Sequence, residues 1–293
     1  MKTIALTFAG LSALLLAPAL QAVELHTGLS YQTQNQANTS WLIDAQASHS
    51  SDSVAAVHVD DLPPIPHAGT PLFHSTYMSG GTAAQASGGL SSFLSLTAGG
   101  QLASSAIWRD SFTNGSASNQ AYLLDFAFGG FSAGLGGWTA DHSQRDYRAQ
   151  FELSIRVDGQ LLLQGSQTVI WSQGQLSLVK SGFDFGSGSL EAPGHPEGEA
   201  DYHLSDYQGQ LALGSFAAGQ SFQIEYRLDA AVFWQDPAGC AYECGSVSLT
   251  INDPFASGGS LQVNAVPEPG SQAMLLGGAL LVGWTLRRRR LAR

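Results

Sequence analysis

The sequence predicts an all-β protein: an antiparallel β-sandwich of jelly-roll-like type, flanked by an N-terminal signal peptide and a C-terminal transmembrane helix. Three observations carry this reading. Apolar and polar residues alternate over long stretches of the middle of the chain. Glycine-marked turns separate those stretches, and no segment between 23 and 265 has a helical period. Uncharged apolar runs occupy both ends.

Residues 1–22 read as a secretory signal. Lys2 supplies the positive start, Ile4 to Leu16 are apolar, and Pro18 breaks the run. Ala19 and Ala22 each offer a small residue at the cleavage point. Residues 23–89 mix polar and short apolar runs, as strands and loops that either join the sandwich or precede it. Leu62-Pro63-Pro64-Ile65-Pro66 is stiff and extended. Gly80-Gly81 and Gly88-Gly89 read as a mobile loop before Leu90.

The sandwich proper is expected over 90–257. Tyr122, Leu124, Phe126 and Phe128 alternate with Leu123, Asp125 and Ala127, and Tyr147 to Val157 alternate apolar with polar residues. Asp158-Gly159 then offers a two-residue hairpin turn, because both residues tolerate positive φ. Leu161 to Leu163 begin the return strand. Thr168 to Trp171 read as another, and Gln175 to Lys180 as the next, across Gln173-Gly174. Phe222 to Trp234 and Val247 to Ile251 repeat the alternation. Residues 258–265 read as a linker.

Composition excludes some classes of function. Charged residues are 12% of the 293, about half the roughly 25% usual for soluble domains. The net charge is −11, and six of the twelve Lys and Arg lie at the termini. The middle is therefore acidic and cation-poor, which leaves no basic face for nucleic acid. At 44% hydrophobic residues it still has enough to form a core.

The C-terminus is built differently. Val266-Pro267-Glu268-Pro269-Gly270 cannot continue through a helix. Gly270 to Leu286 follow, 17 residues without a charge. As a helix at ~1.5 Å per residue they reach about 25 Å, just short of the ~30 Å hydrocarbon layer. Arg287, Arg288, Arg289 and Arg290 then stop transfer and stay cytoplasmic. In that order, behind a signal peptide, these parts resemble the PEP-CTERM sorting signal of Gram-negative bacteria, over 266–293. The resemblance implies export by the Sec translocon, transient anchoring in the inner membrane, and processing near Pro267, Glu268 and Pro269 by the transpeptidase exosortase. It also implies a bacterium that makes extracellular polysaccharide, and a destination at the cell surface or in the matrix. Leu213 to Phe222, then Ser246 to Phe255, is similar to a recurrent β-sandwich layout of PEP-CTERM proteins.

Few constellations carry chemistry. Cys240 and Cys244 are the only cysteines, and an oxidising compartment favours a disulfide between them. No second pair completes a tetrahedral metal site. His49, His58, His67 and His74 near Asp44, Asp52, Asp60 and Asp61 lack metal-ligand spacing. Glu197, Glu199, Asp201 and Asp206 around His195 and His203 are hard oxygen donors of the kind calcium takes, without an EF-hand pattern. Glu152 and Glu225 face outward on strands as the pair a glycan hydrolase would use. Trp138, after Gly136-Gly137, is the candidate platform for a sugar ring. The expectation is an exported surface or matrix protein of a biofilm, acting with exopolysaccharide, with no catalytic residues, metal or cofactor. A carbohydrate-binding module is the alternative and a secreted glycan hydrolase the third reading. The mass of the protein from its native host should lack residues 1–22 and most of the sequence after Pro269. An unchanged mass in an exosortase-deficient strain would contradict the sorting reading.

Overall fold

Period-two alternation gives each strand one apolar face, and two opposed layers are what such faces require. In the computed structural model this is the outcome. Residues 23–33, 40–49, 54–59, 78–85, 88–96, 100–136, 145–192, 199–235, 245–251 and 261–266 are described. The strands are β1 (Val23–Thr33), β2 (Ser40–His49), β3 (Val54–Val59), β4 (Met78–Gln85), β5 (Leu90–Leu96), β6 (Gly100–Thr113), β7 (Gln120–Phe128), β8 (Phe131–Gly136) and β9 (Asp146–Val157). They continue as β10 (Gln160–Ser172), β11 (Gln175–Gly182), β12 (Ser189–Glu191), β13 (Glu199–Leu204), β14 (Tyr207–Phe216), β15 (Ser221–Gln235), β16 (Ser246–Ile251) and β17 (Gln262–Ala265). No helix among the described residues is long and apolar enough to cross a membrane. The expected signal peptide and transmembrane segment lie outside the described residues.

One layer is a sheet in the order β11-β10-β9-β15-β6-β1-β2. The other consists of two sheets, β12-β13-β8-β16-β5-β4-β3 and β14-β7-β17. Every described ladder is antiparallel. These two sheets share one two-stranded ribbon, bent in the middle. Strands β7 and β8 follow each other across Gly129-Gly130, and β13 and β14 follow each other across Ser205-Asp206. The pairing carries through the bend, with Phe131↔Leu204 on one side and Phe128↔Tyr207 on the other. The Gly130 amide donates to Asp206 Oδ1 at 3.0 Å. Any side chain at 130 would collide with the Leu204 carbonyl, so only glycine fits this corner.

The core lies between the layers. Phe131 of β8, fully buried, packs against Phe151 of β9 at 4.9 Å and Tyr202 of β13 at 5.6 Å between ring centroids. Under the three-stranded sheet, Phe216 stacks on Phe222 at 3.9 Å, with Tyr122 5.3 Å from Phe222. Polar links cross the interior as well. Ser92 Oγ and Ser104 Oγ are 2.6 Å apart, and Tyr202 Oη donates to Gln167 Oε1 at 2.7 Å.

Several elements differ from the sequence reading. Leu161–Leu163 and Thr168–Trp171 are one strand, β10, with an irregularity between Leu161 and Leu163 absorbing the break in alternation. Gly80-Gly81 is not a loop: it lies in β4, between β3 and β5. Residues 262–265, read as linker, form β17 on β7. Segment 23–89 contributes β1 and β2 to one layer and β3 and β4 to the other. The two turns behave as their residues dictate. Asp158-Gly159 has φ 49° and 78°, and Gln173-Gly174 has φ 51° and 73°, left-handed at both positions as a tight hairpin needs.

At one end of the sandwich, Asn114 is fully buried and ties two turns together. Its Nδ2 donates to the carbonyls of Ser118, Phe216 and Ala217 at 2.9, 2.8 and 3.0 Å. Its Oδ1 accepts from the Ser116 amide at 2.9 Å. Its backbone donates to Gln220 O and accepts from Gly219 N. Asn114→Ala removes these four side-chain bonds, including the buried one to the Phe216 carbonyl, and should cost about 3 kcal/mol in urea unfolding. Asn114→Asp should cost more, because a carboxylate would face three carbonyl oxygens.

Candidate functional site

The outer face of the seven-stranded sheet bearing β15 carries most of the organised polar chemistry. Alternation puts Glu24, Arg109, Glu225 and Arg156 outward, and register lines them up across β1, β6, β15 and β9. Arg109 Nε bonds Glu225 Oε2 at 2.7 Å, and its guanidinium lies 3.9 Å from Glu24. Arg156 lies 3.9 Å from Glu225 on the other side. Next along β15, Arg227 donates twice to Asp229, at 2.6 and 2.8 Å. This bidentate bond, aided by the nearby carboxylates, raises the pKa of the guanidinium further.

Beyond this ladder the outward residues become small. Gly28, Ser105, Asp229, Glu152 and Ser166 form one cross-strand row, and Ser30, Ala103, Ala231, Gln150 and Thr168 the next. Together they line an open trench of about 450 Å³, with Gln101 at one side. Gln164 Nε2 donates to Glu152 Oε1 at 2.7 Å. Ser105 Oγ is buried in the trench without a hydrogen-bond partner among the described residues. Phe233, two residues beyond Ala231 on the same face, lies under the Arg148 guanidinium at 5.5 Å.

A second site is the end of the domain. β17 pairs with β7 from Gln262↔Asp125 to Ala265↔Tyr122. Asn264 Nδ2 donates to Asp125 Oδ2 at 2.6 Å. Val266 continues the grip: its amide donates to Ala121 O at 2.8 Å, and its carbonyl accepts from Gln120 Nε2. Leu261, at the start, covers Gly88, where a side chain would strike it. The Val-Pro-Glu-Pro sequence therefore starts on Val266, a residue bonded to β7 and the last of the described residues. Residues 265–290 match the PEP-CTERM protein-sorting motif. The chain is thus an exported protein targeted to exosortase. No curated protein matches it. The PEP-CTERM match takes in Ala265 and Val266, both held against β7 among the described residues.

The remaining expectations are distributed as follows. Pro267, Glu268, Pro269, the arginines 287–290, Cys240, Cys244 and Trp138 all lie outside the described residues. Glu152 and Glu225 do share a face on neighbouring strands. They are not opposite each other: Glu152 faces Asp229, and Glu225 faces Arg156. At ~3.3 Å per residue Glu225 is about 13 Å along β15 from Asp229. The geometry does not bring that pair together. Among the described residues no three His, Cys, Asp or Glu converge as metal ligands. Asp206 instead holds the Gly130 corner.

The trench itself was missed. Its residues come from five strands spread over the chain, and only the pairing unites them. The readable signal was small residues at outward positions of central strands, where large polar ones are usual.

Glu199 of β13 lies over Gly134, where a methyl group would collide with its Oε1. Desolvation there, and then the charge of Asp201, raise its pKa above the ordinary glutamate value. The charged form therefore costs stability at neutral pH. Glu199→Gln should raise the melting temperature at pH 7. The gain should shrink as pH falls through the raised value and vanish below the ordinary one, where both states of the wild type are neutral. A gain that does not change with pH would contradict this cause.

Proposed function

We propose that this protein is a non-catalytic component of the cell surface or extracellular matrix, acting with exopolysaccharide in the biofilm of a Gram-negative bacterium. The sorting motif joined directly to a folded sandwich carries the reading: removal of the tail would release an intact domain outside the cell. Its acidic, lysine-poor surface suits a solvated scaffold and disfavours nucleic acid. Several charges on the outer face are committed to each other, as Glu225 is to Arg109 and Arg156, and Asp229 to Arg227. That is the arrangement of a structural face rather than an acid–base pair. The partners are the Sec translocon and exosortase during export, and polysaccharide afterwards.

The polar trench favours one second reading, a carbohydrate-binding module. Deletion of the gene in the native host, with imaging of biofilm architecture and fractionation of the matrix, tests the proposal. The protein should be found with the matrix, and its loss should alter the architecture. Normal architecture together with absence from the matrix would end the proposal. Release of reducing ends from host exopolysaccharide by the purified protein would overturn its non-catalytic part.

A further inference from the structure

We infer that the trench on the outer face of β1, β6, β15, β9 and β10 is a binding groove for an uncharged polysaccharide chain. The inference rests on the extracellular placement proposed above and deepens it, by naming the site and the class of glycan. Four observations converge. The trench, at about 450 Å³, falls in the ~300–1,000 Å³ range of small-ligand sites, and it is open rather than enclosed. An open groove suits a polymer that passes through rather than ends there.

Its floor is formed by small residues, with Gly28, Ala103 and Ala231 in successive strands. Such a floor admits the C–H face of a sugar ring close to the backbone. Its polar groups are amides, hydroxyls and carboxylates, from Gln101, Gln150, Glu152 and Asp229 among others. These groups both donate to and accept from sugar hydroxyls. The buried Ser105 Oγ lacks the partner that buried hydroxyls normally have, and a ligand hydroxyl would supply one.

Charge decides among occupants. Asp229 and Glu152 stand directly opposite each other in the ladder, a pairing that costs stability on a plain solvent face. Arg227 balances only one of the two carboxylates, and the net negative charge that remains repels uronate, sulfate and phosphate polymers. It also opposes a second copy of the same face, which would set carboxylates against carboxylates. Of the cations nearby, Arg227 is bound to Asp229, and Arg148 lies over Phe233, outside the trench lining. A neutral glycan is the polymer that fits these constraints.

Affinity electrophoresis of the full chain in detergent tests this, through gels containing mixed-linkage β-glucan, galactomannan, dextran or alginate. Retardation is expected in at least one neutral gel and not in alginate. Ala103→Leu fills the floor and should weaken that retardation at least ten-fold. Gln150→Ala, an exposed truncation, should weaken it measurably, and serves if Ala103→Leu does not fold. Val179→Ala, on the edge strand β11 outside the trench, should bind as the wild type does. No retardation in any neutral gel, retardation in alginate alone, or wild-type binding by a folded Ala103→Leu protein would each overturn the inference. A protein that stays in the matrix and shapes the biofilm, yet fails this test, would refute the groove and leave the proposed function standing.

Discussion

The inner face of β15 is apolar from Phe222 to Trp234, and everything else is arranged to cover it. Seven alternate residues, Phe222, Ile224, Tyr226, Leu228, Ala230, Val232 and Trp234, are buried along it. At ~3.3 Å per residue a 15-residue strand is about 50 Å long. The strands available opposite are shorter, six residues in both β8 and β16. Two sheets laid end to end meet the requirement. The bend at Gly130 allows β7–β8 and β13–β14 each to contribute to both. The aromatic cluster around Phe216 and Phe222 fills one half, and the Phe131–Phe151–Tyr202 group fills the other.

The fold class was legible because burial on one side of a strand writes itself into sequence with a period of two. The Tyr147–Val157 and Phe222–Trp234 runs could be read directly, and so could the hairpins at Asp158-Gly159 and Gln173-Gly174. The misreadings share a cause. Gly80-Gly81 looked like a loop because small residues carry no periodic signal, yet pairing on both sides keeps them in β4. Likewise β17 is only four residues long and polar at Gln262 and Asn264, as suits an edge. Local pattern does not reveal an element that exists because its neighbours hold it.

The site was less legible than the fold. The sorting motif is contiguous and could be read. The trench is assembled from residues as far apart as Gly28 and Ala231, so it exists only in the register of the sheet. Outward residues are free of the demand for burial, and their identities therefore carry information about solvent-side chemistry. In the ladder they are long and mutually neutralising. In the trench they are small, with two opposed carboxylates that packing does not require. That change of character along single strands, from Glu225 to Ala231 on β15, separates a face that supports itself from one that invites a ligand.

The grip on Val266 has a mechanical meaning. β17 runs antiparallel to β7, with Ala265 beside Tyr122 near the start of β7. Consider tension applied at Val266 along the strand's own axis. The hydrogen bonds to β7 would then share the load in shear, instead of opening one after another as in a zipper. Leu261, seated over Gly88, would resist the same sliding motion. The domain thus meets its tether through a joint that is firm under pulling and weak under peeling, so the direction of force would decide whether the last strand stays on.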